Sequence, residues 1–121
     1  MEITAIPKNR LILVRISGEI DHHMADELRR RVERELKYSG AINIAFDFGR
    51  VTFMDSAGIG MIIGRYKTVT ALGGCVIIYD ASSHVRRLIE MAGIKNMVIL
   101  SDTLQHGITL MKERKGARIE Q

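Results

Sequence analysis

Apolar and polar positions are spaced differently along the 121-residue chain, and each spacing predicts an element. Residues 2–6 and 11–16 are short β-prone runs. Pro7-Lys8-Asn9-Arg10 lies between them as a turn, so they read as an antiparallel hairpin. Ser17-Gly18-Glu19-Ile20-Asp21 should break the second strand, and Asp21 suits the N-cap of a following helix. There Ala25, Leu28, Val32 and Leu36 recur at three- and four-residue spacing, one apolar stripe on a charged helix that Ser39-Gly40 should end. Residues 41–48 alternate, with Ile42, Ile44, Phe46 and Phe48 on one face and Asn43, Ala45 and Asp47 on the other, which predicts a strand. A second helix is expected from near Ser56 to Leu72, stopped by Gly73-Gly74.

Residues 75–79 are continuously apolar, as in a strand buried on both faces. The next helix should start at Asp80 or Ser82, turn Val85, Leu88, Ile89 and Ala92 inward, and stop at Gly93. Residues 97–100 make a last short strand. Ser101 or Asp102 should cap a last helix with Leu104, Ile108 and Met111 inward. Strands alternating with helices imply parallel pairing through right-handed crossovers. The expected fold is a small α/β sandwich: a mixed, mostly parallel sheet with an antiparallel edge strand and about four helices. Residues 2–111 form the domain and 112–121 a charged tail.

Composition narrows the class. Hydrophobic residues at 46% and charged residues at 26% are globular values, and the length suits one domain. That leaves no room for separate cofactor and substrate domains. Aromatics are scarce, so the core must be mostly Ile, Leu, Val, Met and Ala. The net charge of +4 raises the question of nucleic acid. Its distribution answers it: Lys112, Arg114, Lys115 and Arg118 against Glu113 and Glu120 place half of it in the last ten residues. The densest cluster, Arg29, Arg30, Arg31 and Arg34, is interleaved with acids at helical spacing and reads as a solvated face of paired charges. Cys75 is the sole cysteine, so no intrachain disulfide can form, and its apolar setting suggests a buried small hydrophobe. No leader opens the sequence and no apolar stretch nears the ~20 residues that span a bilayer. The expected compartment is the cytoplasm, with no membrane insertion.

The stretch Phe53-Met54-Asp55-Ser56-Ala57-Gly58-Ile59-Gly60 lies after a strand and at a helix start, where ligands and partners of open α/β sheets gather. A phosphate on Ser56 would sit at the positive end of a helix and add about −1.5 to −2 charges beside Asp55. Such a switch would change a partner's affinity while sparing the fold. Ser56 could equally be an ordinary N-cap serine. The glycines Gly58, Gly60 and Gly64 are costly in a helix and suggest close packing, or close approach by something else. With Asp80 further on, they also resemble a dinucleotide-binding unit, but residues 49–55 make too long a link where a tight turn is needed. His22-His23 are adjacent and diverge on a helix, His84 and His106 are isolated, and one cysteine makes no zinc site, so no metal is expected.

Gly18-Glu19-Ile20-Asp21-His22-His23 and Asp55-Ser56-Ala57-Gly58-Ile59-Gly60 resemble the two signature loops of the STAS domain, the module shared by bacterial anti-sigma factor antagonists and sulfate transporter tails. The double histidine and Gly64-Arg65-Tyr66-Lys67 resemble its sporulation branch. The resemblance covers about residues 2–111. It implies a non-enzyme that works by partner switching. The unphosphorylated protein would bind an anti-sigma factor that is also a serine kinase, in its nucleotide-bound state, and so release a sporulation sigma factor. The kinase would phosphorylate Ser56 and a membrane-associated serine phosphatase would reverse it. Partner contacts are expected at Asp21, Asp55, Ser56, Ala57, Gly58, Ile59, Gly60 and Met61, with Gly58 and Gly60 admitting the partner's backbone. Ile59 and Met61 would supply apolar contact or simply core. No cofactor and no direct nucleic-acid contact are implied. The alternatives are a STAS subunit of another bacterial assembly, in stress signalling or lipid transport, and a small nucleotide-binding enzyme.

Overall fold

The computed structural model describes residues 1–120, with side chains described through Lys115. Strands β1 (Glu2–Ile6), β2 (Leu11–Ile20), β3 (Asn43–Met54), β4 (Val76–Tyr79) and β5 (Val98–Ser101) form one sheet in the order β1-β2-β3-β4-β5. Helices α1 (His22–Ser39), α2 (Ser56–Ala71), α3 (Ser83–Met91) and α4 (Leu104–Glu120) follow β2, β3, β4 and β5 in turn. β1 pairs antiparallel with β2, and every other pair is parallel. The mixed α/β sandwich with an antiparallel edge is the expected architecture. The hairpin turn is a short 3-10 segment, Pro7–Asn9, closed by Arg10 in the left-handed region at φ 51°. The segment 112–121 expected as a tail falls in α4 up to Glu120; its side chains from residue 116 on, and residue 121, lie outside the described residues.

Each parallel crossover adds its strand on the same side, so crossovers of one hand put α1, α2 and α3 on the same sheet face. Their inward side chains meet Ile12, Val14, Ile44, Phe46, Val76, Ile78 and Val98 in the larger core cluster. The opposite face carries Leu11, Leu13, Ala45, Ile77 and Ile99, covered by Ile108 and Met111 of α4. The stripe on α1 is buried as expected at Ala25, Leu28, Val32 and Leu36. On α3, Val85 and Ile89 are buried and Leu88 half-buried, but Ala92, the C-cap that follows Met91, is exposed rather than inward.

Two strands run longer than their sequence suggests. β2 does not stop at Ile16, and β3 does not stop at Phe48. The pairing offset between them grows from 32 residues at Leu11–Asn43 to 34 at Ile20–Met54, through irregularities between Arg15 and Ser17 and between Gly18 and Glu19. Each inserts one extra residue in β3, and Gly18 takes φ +87° there. Bulges break the alternation that marks a strand and bend it. β4 pairs with β3 only over Ile44–Asp47, so the rest of the β2–β3 ribbon projects beyond the sheet. The other correction is at the last helix: Thr103, not Ser101 or Asp102, caps it, its Oγ1 accepting from His106 N at 3.1 Å.

Candidate functional site

The projecting ribbon delivers two helix starts side by side. β2 ends at Ile20 and Asp21 caps α1, its Oδ1 accepting from Met24 N at 2.9 Å. β3 ends at Met54 and Asp55 caps α2, its Oδ1 accepting from Ala57 N at 2.8 Å. Ile20 pairs with Met54, and Asp55 N donates to Ile20 O at 3.3 Å, which ties one cap to the other strand. The two motifs singled out in the sequence, whose capping aspartates are 34 positions apart, therefore form a single surface at the strands' carboxyl ends.

Ser56 is the first residue of α2, not its cap, and it is exposed. Because Asp55 does the capping, the Ser56 hydroxyl is not needed to start the helix. No described side chain bonds to it. The nearby amides are largely used: Ala57 N by the Asp55 carboxylate, Gly58 N and Ile59 N by the Asp55 carbonyl at 3.0 and 3.4 Å. A group added to Ser56 Oγ would project into solvent next to the half-buried Asp55.

The remaining candidate residues divide into two sets. Gly58 is buried, and a Cβ on it would lie 2.3 Å from Met54 Cγ and 2.7 Å from its Sδ, so its clearance is filled from within. Ile59 and Met61 are buried in the larger core. Gly60 is exposed, and nothing lies within 4 Å of where its Cβ would be. Gly60, Met61 and the half-buried Ala57 line one wall of a groove of about 180 Å³, with His22, Asp26 and Arg29 of α1 opposite. Asp21 lies half-buried at the head of that helix, engaged as a cap.

The strand-to-helix link is the single residue Asp55, not the long segment 49–55. The dinucleotide reading fails for a different reason: Gly58 and Gly60 lie inside the helix, so no glycine turn precedes it to receive a pyrophosphate. No cluster of three or more His, Cys, Asp or Glu side chains is placed to hold a metal among the described residues. No described helix is long and apolar enough to cross a membrane.

Sequence reasoning assigned no role to Arg65, which the structure buries between α2 and α1. It is 6% exposed on the face of α2 that also buries Ile62 and Val69. Its Nε lies 3.1 Å from Glu33 Oε1 of α1, and Thr68 Oγ1 donates to the same oxygen at 2.6 Å. Its Nη1 has no hydrogen-bond partner. Burial pulls the guanidinium pKa down, opposed by the Glu33 charge. The clamp locks α2 to α1 and so fixes the two caps relative to each other. A cation at an i+3/i+4 position of an apolar stripe was the signal available for it.

Three comparisons bear on this surface. A family model described as the STAS domain matches residues 2–107. The chain is 32% identical over 99 residues to an anti-sigma F factor antagonist of Paenibacillus polymyxa, covering 82% of this chain and 85% of that one. It is 30% identical over 97 residues to an anti-sigma-B factor antagonist of Bacillus subtilis, covering 80% and 87%. In fold it matches the anti-sigma factor antagonist SpoIIAA in its unphosphorylated form, with a TM-score of 0.69 at 22% identity over 98% of this chain and 96% of that one. It also matches the Bacillus SpoIIAA in its phosphorylated form, with a TM-score of 0.70 at 24% identity over 89% and 96%.

Proposed function

The chain belongs to the STAS domain family, and from that premise we propose that it is an anti-sigma factor antagonist switched by phosphorylation of Ser56. The observation that carries this is the exposed, unbonded hydroxyl of Ser56, placed at the junction of the two loops and released from capping by Asp55. Unphosphorylated, the surface from Asp21 to Gly60 binds an anti-sigma factor that is also a serine kinase, in its nucleotide-bound state, and the sigma factor is released. Gly60 leaves room for the partner's backbone. Gly58, Ile59 and Met61 support that surface from below.

The transfer step belongs to the kinase. Ser56 Oγ attacks the γ-phosphorus of ATP and an O–P bond forms. The bond to the β–γ bridging oxygen breaks, ADP leaves, and the hydroxyl proton passes to a base on the kinase. The added charge ends binding without refolding the chain. A serine phosphatase restores the binding form, and the chain itself catalyses nothing.

The sporulation sigma factor is the target we favour, on the relative in Paenibacillus polymyxa and the His22-His23 pair. The second reading is the stress branch, favoured by the Bacillus subtilis relative at 30% identity. Incubation with candidate kinases and ATP tests both. One phosphate should be added per chain by one kinase and none to Ser56→Ala. Labelling that persists in Ser56→Ala overturns the site, and the kinase that binds decides the branch.

A further inference from the structure

Around Ser56 the surface carries one exposed aromatic that neither the caps nor the core require. Phe46 and Phe48 of β3 are buried, whereas Phe53 of the same strand is 43% exposed. It lies on the part of β3 that projects past β4, two residues before the capping Asp55. Its ring stacks on His84 in the first turn of α3, with centroids 6.4 Å apart and planes 20° from parallel. His84 is itself exposed, so the pair stands at the surface with one ring supporting the other. Tyr38, Leu72 and Met91 are the other exposed large apolar side chains among the described residues. They sit at the C-terminal ends of α1, α2 and α3, the pole away from Ser56.

We infer that Phe53, braced by His84, is the apolar anchor through which the kinase partner holds this chain; this rests on the function proposed above. Phe53 and Ser56 are three positions apart, so their Cα atoms are at most about 11 Å apart. A standard interface covers about 800 Å² on each partner and so reaches roughly 16 Å from its centre. A kinase that brings its nucleotide to Ser56 Oγ therefore covers Phe53. Aromatics near the centre of an interface dominate its energy when a pocket desolvates them. The partner accordingly presents an apolar pocket beside its phosphoryl-transfer centre.

The test compares the full chain with Phe53→Ala, Phe53→Leu, His84→Ala and Leu72→Ala, in binding and in phosphorylation by the kinase. Phe53→Ala should weaken binding about tenfold and raise KM by a similar factor with kcat unchanged. Phe53→Leu, which keeps apolar bulk, should stay within about threefold of the parent, with His84→Ala between the two. Leu72→Ala, at the far pole, should bind as the parent does. Phe53→Ala at parent affinity, or an equal loss in Leu72→Ala, overturns the anchor and leaves the function standing. A parent chain that the kinase neither binds nor phosphorylates overturns both. Should Phe53→Ala melt lower, His84→Ala decides, since it keeps Phe53 and removes only its brace. Self-association of the parent that Phe53→Ala abolishes would assign the ring to a second copy of the chain and overturn the anchor too.

Discussion

Gly58 and Gly60 stand two residues apart in the first turns of α2, and alanine at each should move stability in opposite directions. At Gly60 an added methyl meets nothing within 4 Å. The change then acts through helix propensity alone, and Ala should stabilise by up to about 1 kcal/mol. At Gly58 the methyl would lie 2.3 Å from Met54 Cγ, 2.7 Å from Met54 Sδ and 3.2 Å from Ile20 Cγ2. Met54 is 2% exposed and Ile20 fully buried, so neither side chain can swing into solvent. Overpacking of this kind costs about 1–3 kcal/mol, which exceeds the propensity gain near a helix start. The net expectation for Gly58→Ala is a loss of about 1–2 kcal/mol.

For a domain of this size 1 kcal/mol moves Tm by about 4 °C, so the two variants should melt on either side of the parent, about 4–12 °C apart. Thermal unfolding followed by far-UV circular dichroism measures this directly. A Gly60→Ala that melts well below the parent, or a Gly58→Ala that melts at or above it, refutes the packing argument. Binding adds a second dimension. Gly60→Ala should bind the kinase less tightly although it is the more stable protein, because the methyl occupies the partner's clearance. Gly58→Ala should bind normally at temperatures where it is folded.

Two further outcomes follow from buried polar groups. Glu33→Ala leaves Arg65 buried with no counter-charge and should cost about 2–3 kcal/mol, reduced from a fully buried pair because Glu33 is a third exposed; Arg65→Met should cost less, and urea unfolding compares them. Tyr79 is held protonated above its usual pKa of 10.0 by burial, then by the Asp47 charge. The unfolded chain loses that proton first, so the stability it contributes is complete below pH 10.0 and is lost as pH rises through the folded-state value. Tyr79→Phe should flatten this alkaline slope in denaturation measured from pH 9 upward, and an unchanged slope would place its origin elsewhere.

Elements with a clean period were legible in the chain. The α1 stripe, the alternation of 43–48 and the apolar run of β4 each name their element because one periodicity holds throughout. The ends of β2 and β3 were not legible. There two bulges interrupt the alternation, and the strand status of 17–20 and 49–54 depends on pairing between segments more than thirty residues apart. The same non-local fact decides the site. Asp55 and Ser56 are both plausible caps by composition, and only the run of β3 to Met54 makes Asp55 the cap and Ser56 the first helical residue. Gly58 and Gly60 are identical in sequence terms, and their difference is the position of Met54 beneath one of them.

That placement also changes how a phosphate on Ser56 would act. The sequence alone suggested a helix end that accommodates the charge, but Asp55 has taken the amides of Ala57, Gly58 and Ile59 for its own carboxylate and carbonyl. What remains for the phosphate is the general helix dipole, worth about 0.3–1 kcal/mol at a surface. The Asp55 carboxylate next to it works against this. At an effective dielectric of 20, two like unit charges 6 Å apart repel by about 3 kcal/mol, and water lowers this to under about 1 kcal/mol. In the free chain the two effects nearly cancel, so the domain should tolerate the modification. Beneath a docked partner water is excluded, the repulsion approaches its higher value, and the doubly charged group loses its hydration as well. The penalty therefore falls on the complex and not on the fold, which is the asymmetry that a partner switch requires.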